Sequence, residues 1–129
     1  MEHKITTNKE DQMLDITHLI EEDVQKSNVK DGVVVVFVPH TTAGITINES
    51  YDPDVVTDML LTLRRLVPKD PNYLHLEGNS HSHIKASLFG SSCTIIIENG
   101  KLKLGTWQGV FFCEFDGPRT RSFFTKIIG

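Results

Sequence analysis

Apolar and polar residues recur along this chain with two periods, and each period marks a kind of element. Between Asp15 and Ser27, Ile16, Leu19, Ile20 and Val24 return at three- and four-residue steps, with Glu21, Glu22 and Lys26 on the other side. That spacing predicts an amphipathic helix, capped by Asp15 or Thr17 and stopped by Asn28 followed by Asp31-Gly32. Val33 to Val38 is an unbroken, mostly β-branched apolar run, which predicts a strand covered on both faces. A second helical period, Val55, Val56, Met59, Leu60, Leu63 and then Leu66 or Val67, opens at Asp52-Pro53 and ends at Pro68.

Residues 68 to 82, rich in Pro, Asn, Gly and Ser, predict an irregular loop of a length that is usually functional or disordered. His83 to Phe89 predicts a short helix stopped by Gly90. Beyond it the pattern is strand. Thr94 to Glu98 and Lys101 to Leu104 flank Asn99-Gly100, the strongest short hairpin signal. Trp107 to Phe115 and Thr120 to Ile128 are joined across Asp116-Gly117-Pro118. Six or seven strands and two principal helices, linked by tight turns, predict a mainly antiparallel, sheet-rich and sandwich-like α+β domain over residues 1–129.

Composition narrows the function classes. The 129 residues are 39% apolar and 23% charged, as in an ordinary globular domain able to bury its own core. The N-terminus carries no signal-peptide core and no run reaches the ~20 apolar residues of a membrane span, so a cytoplasmic protein without a membrane partner is expected. A net charge of -4 without a Lys/Arg stripe argues against nucleic acid as partner. Cys93 and Cys113 lie in separate apolar runs with no Cys-x-x-Cys spacing, and read as buried free thiols.

The candidate chemistry lies in the histidines. His40 follows Pro39 at the end of the apolar Val33–Val38 run, with Thr41 and Thr42 beside it to hold a ring nitrogen or an oxyanion. On its own it reads as a turn histidine. His75 and His83, with seven residues between them, come from a second and distant segment. One remote ligand joined by two from another stretch is a common zinc arrangement, and an open fourth position would make it catalytic. Glu49, Asp52 and Glu77 are the carboxylates nearest in sequence. His81 is expected to be exposed, and His3 and His18 to be surface residues. Glu114 is the one acid inside Val110–Phe115, so it needs a partner, and Arg119 or Arg121 across the turn supplies either an ion pair or the neighbour of a general base. Asn79, Ser80 and Lys85 surround His83 with donors suited to a phosphate, and Trp107 is expected in the core or at a pocket wall.

Several separated motifs resemble one family. They are His40-Thr41-Thr42-Ala43-Gly44, Ile47-Asn48-Glu49 with Asp52-Pro53-Asp54-Val55, Glu77-Gly78-Asn79, His83-Ile84-Lys85, Leu104 to Gly109, and Glu114 to Arg119. Together they span roughly residues 30 to 129 and resemble the YjbQ family, uncharacterised protein family 0047, described as secondary thiamine-phosphate synthases. The resemblance implies a homotrimer and a metal pocket of His40, His75 and His83. The implied reaction joins a pyrimidine methyl diphosphate to a thiazole phosphate and releases pyrophosphate. For such chemistry Glu114, Lys85 and Arg119 are the candidate catalytic residues, and Thr41, Thr42, Asn79 and Glu49 the candidate substrate-binding ones. A three-histidine cage suits zinc or another transition metal, whereas Mg²⁺ would come with the diphosphate. Two other readings stand beside this one: a metal-dependent hydrolase of a small phosphorylated or acyl substrate, and a non-catalytic metal- or metabolite-binding trimer.

Overall fold

Two antiparallel sheets face one another across the main core, and two helices cover the outer side of the smaller one. A computed structural model describes residues 1–129. In chain order the elements are β1 (Glu2–Thr6), β2 (Gln12–Asp15), α1 (Thr17–Ser27), β3 (Asp31–Phe37), β4 (Ala43–Glu49), α2 (Pro53–Leu66), α3 (Ser80–Phe89), β5 (Ser92–Glu98), β6 (Lys101–Leu102), β7 (Gln108–Glu114) and β8 (Thr120–Ile128). One sheet has the order β1-β8-β3-β5-β6 and the other β2-β7-β4. No helix is long and apolar enough to cross a membrane.

The local signals act as their chemistry requires. Pro53 opens α2, and the Asp52 side chain accepts the Asp54 N–H at 2.9 Å. Asn28 ends α1 in the left-handed region at φ 58°. Asn99 and Gly100, at φ 54° and 77°, make the tight turn between β5 and β6.

Three elements differ from the sequence expectation. β1 and β2 come from residues whose short polar alternation gives no strong strand signal; they form because β8 and β7 offer pairing edges. His3 is thereby held in β1, 2.6 Å from the Asp23 carboxylate and stacked on Phe123, rather than lying free at the surface. The short helix expected from His83 begins at Ser80, which shortens the loop before it.

The apolar run of β3 is covered on one face only. Val34 and Val36 are fully buried, while Phe37 is 44% exposed. The strand enclosed on both sides is β7. Its Val110 and Phe112 point into the core between the sheets with Ile20, Val24, Val34, Ile45 and Phe123. Phe111 and Cys113, with Phe115 just beyond, point into a second cluster with Met13 and Ala86, against Val56, Met59, Leu60 and Leu63 of α2. Each such side chain contributes about 1.5–3 kcal/mol of burial. α3 is drawn close to β4 at Gly44, where a Cβ would stand 2.8 Å from the Gly90 carbonyl oxygen, and Ile45 N–H donates to that same oxygen at 3.0 Å. Only glycine allows this approach, and it brings α3 beside the β3–β4 connection.

Candidate functional site

α3 presents polar groups in two directions. His83 and Ser87, one turn apart, face a cavity of about 470 Å³ whose other polar walls are His40, Thr41 and Ser91. His81 and Lys85, also one turn apart, line a different cavity of about 440 Å³ with Glu10, Asp11, Arg64 and Lys69. The fold therefore joins His40 to His83 and separates both from Lys85.

His40 is held from behind. Its Nε2 accepts the Ser122 N–H of β8 at 2.9 Å, and its ring meets Phe112 edge-on at 6.4 Å. Burial lowers its pKa below the ordinary histidine value, and the Arg121 charge nearby adds to that. The neutral ring with a proton on Nδ1 is the form that satisfies this bond. His40 is thus a fixed neutral donor. His83 carries His75 against it, their rings perpendicular with centroids 5.5 Å apart, so the loop ring of His75 extends the imidazole row outward. Among the cavity's walls there is no carboxylate.

Arg121 and Glu114 form the support behind His40. The Arg121 guanidinium bonds both carboxylate oxygens of Glu114 and reaches Thr42 Oγ1 at 2.8 Å. Thr7 Oγ1 donates to Glu114 at 2.8 Å and the Asp116 N–H at 3.1 Å. Burial alone would raise the Glu114 pKa; these hydrogen bonds outweigh it and hold the carboxyl below its ordinary range.

The remaining expected site residues are distributed elsewhere. Lys85 is buried, with its ammonium 3.2 Å from Asp11 Oδ2 and over the Phe115 ring, away from His40 and His83. Arg119 is occupied at the surface by the carbonyl and carboxylate of Asp116. Glu114 is locked in its ion pair, the cross-strand partner being Arg121. Thr41 faces the His40 cavity, whereas Thr42 is turned inward to Arg121. Asn79 donates to Asp116 at 2.9 Å, and Glu49 lines a separate cavity at the end of β4. His81, expected at the surface, is only 4% exposed, because the earlier start of α3 puts it on the packed side of the helix. His18 is exposed as expected. Sequence reasoning missed Ser122, Ser87 and Ser91: the first acts through its backbone, while Ser87, one turn beyond His83 in the expected helix, could have been found from helical spacing.

A metal cage of His40, His75 and His83 does not fit this arrangement. The one lone pair of neutral His40 is taken by the Ser122 amide, and no three His, Cys, Asp or Glu side chains of the chain come together as a metal-holding group. Neither cysteine offers a reactive thiol: burial pushes Cys93 up to about 11 and Cys113 further still.

The fold recurs in known proteins. The model of the family described as UPF0047 protein YjbQ-like matches residues 1–129. A UPF0047 protein of Methanocaldococcus jannaschii is 58% identical over 127 residues, covering 98% of this chain and 92% of that one. The UPF0047 protein YugU of Bacillus subtilis is 49% identical, covering 98% and 96%. The crystal structure of an uncharacterized YjbQ/UPF0047 family protein from Clostridium acetobutylicum superposes with a TM-score of 0.97 at 62% identity, covering 99% of both chains.

Proposed function

The chain belongs to the YjbQ-like UPF0047 family, and from that premise we propose that it is an enzyme acting on a phosphorylated small molecule in the His40–His83 cavity. One observation carries the reading. The polar walls of that cavity are imidazoles and hydroxyls without a single carboxylate, which supplies hydrogen-bond donors and no opposing charge for an anion.

The candidate reaction is thiamine-phosphate synthesis. The thiazole nitrogen forms a C–N bond to the pyrimidine methylene as the methylene C–O bond breaks, and the bonding pair leaves with pyrophosphate. Charge grows on the leaving diphosphate oxygens. His40, held neutral by Ser122, donates its Nδ1 proton in a hydrogen bond to such an oxygen, with Thr41, Ser91 and His83 as further partners. Arg121 and Glu114 keep His40 in place without touching substrate. A divalent cation enters this reading as a companion of the diphosphate and not as the resident of a histidine cage.

A homotrimer is part of the same proposal. The outer face of the larger sheet leaves Phe37, Ile96, Phe124 and Ile128 between 38% and 56% exposed, on strands whose composition suits full cover. A second copy of the chain would supply that cover, and light scattering on the purified protein measures it.

The direct assay supplies both phosphorylated substrates and measures pyrophosphate release. His40→Gln and His83→Gln are each expected to lower kcat by about 10²–10³, the usual cost of losing a preorganised donor at a developing anion. Undiminished turnover in both variants would remove the cavity from the chemistry. Hydrolysis of a phosphorylated substrate without the acceptor would replace the transferase reading with a hydrolase.

A further inference from the structure

At the far end of the smaller sheet, two aromatic rings are fixed in place yet left bare. Tyr51 and Trp107 meet edge to face, with centroids 5.0 Å apart and planes at 65°. Backbone geometry sets the pair: Ser50 N–H donates to the Trp107 carbonyl at 2.8 Å. Gly109 permits the close approach, since a Cβ there would stand 2.6 Å from that of Ser50. The two residues remain 76% and 54% exposed, so core packing does not explain them.

The surroundings carry charge of one sign. Glu49, Asp52 and Pro53 complete the walls of a cavity of about 450 Å³, and no Lys, Arg or His lines it. The N-terminus of α2 lies here and would by itself favour an anion. It is already answered by the Asp52 cap and by Asp54 in the first turn. Asp52 Oδ1 accepts the capping N–H of Asp54, and the Glu49 carboxylate adds a second negative charge beside the rings.

We propose that this corner is a binding site for an organic cation, a substituted ammonium or a cationic nitrogen heterocycle. Both rings line the one cavity, their planes tilted at 65°, and Glu49 supplies the counter-ion. A weakly hydrated cation clad in carbon gains from both, whereas a strongly hydrated inorganic cation would have to shed its water. The site does not depend on the phosphate reading of the histidine cavity.

Trp107 is the only tryptophan in the chain, so its fluorescence reports on this corner alone. The full-length protein is titrated with choline, with sodium at equal ionic strength, and with 3,3-dimethylbutanol, the uncharged carbon analogue of choline. Saturable quenching by choline is expected, with at least about tenfold weaker binding of the neutral analogue and none of sodium. Glu49→Gln and Tyr51→Ala should each weaken choline several-fold; Glu49→Gln is isosteric and Tyr51 is exposed, so the fold stays intact, which circular dichroism verifies. Equal binding of the neutral analogue would make the corner merely apolar and overturn the proposal. So would an absence of saturation, or an emission change driven by protein concentration alone, which would assign the corner to a second copy of the chain.

Discussion

Arg121 Nε stands 2.9 and 3.0 Å from the two carboxylate oxygens of Glu114, and neither side chain is more than 3% exposed. A pair removed this far from water is stable only while both charges are present. Replacing one partner leaves the other charge buried and unanswered, at a cost of about 3–5 kcal/mol.

Glu114→Gln is therefore expected to lower unfolding stability by about that amount, whereas Glu114→Leu with Arg121→Met should lose much less, because no charge is stranded. Denaturant unfolding of the wild type, Glu114→Leu, Arg121→Met and the double variant measures the coupling directly. Additive losses would mean that the pair acts as two independent residues.

The two perturbed groups behind the site set the pH dependence. For His40 the folded pKa is lowered from 6.5, so the unfolded chain takes up a proton first as pH falls. Stability from this group is complete above 6.5 and declines as pH falls through the folded value. The carboxyl of Glu114 is lowered from 4.5 and adds a second loss below that pH. The thermal midpoint should hold near neutrality, fall gently below pH 6.5 and fall again below 4.5. His40→Gln should erase the upper step and keep the lower one.

Gly44 decides how closely α3 lies against β4. Gly44→Ala pushes a Cβ toward the Gly90 carbonyl, 2.8 Å away, and should cost about 1–3 kcal/mol while moving His83 away from His40. Its mark is a joint loss of stability and of phosphate binding. Loss of stability with unchanged binding would mean that the close approach does not position the cavity.

The Ser122 hydrogen bond fixes the tautomer of His40. Nitrogen NMR at neutral pH should find the proton on Nδ1, and added zinc should leave that resonance where it is. A zinc-induced shift of His40 together with His75 and His83 would restore the three-histidine cage.

Much of the fold was legible because its signals are local. Asp52-Pro53, Asn28 and Asn99-Gly100 carry their backbone conformations in their own chemistry, and α1 and α2 follow an unambiguous period. β1 was not legible, because Glu2 to Thr6 becomes a strand only by pairing with β8. The joining of His40 to His83 was foreseen from residue type and segment, but the exclusion of Lys85 was not. That separation follows from helical phase, since residues two apart point to different sides of α3, Lys85 toward Asp11 and His83 toward the His40 cavity. The grip of Ser122 on His40 had no signal at all, since a backbone amide looks the same in every residue.

The most direct test of the central claim is a titration of the purified chain with pyrophosphate, followed through its histidine side-chain resonances. His40 and His83 should shift together and saturate at one affinity, while exposed His18 stays in place. If His40 and His83 do not respond, or move no more than His18 does, the cavity between them is not a phosphate site.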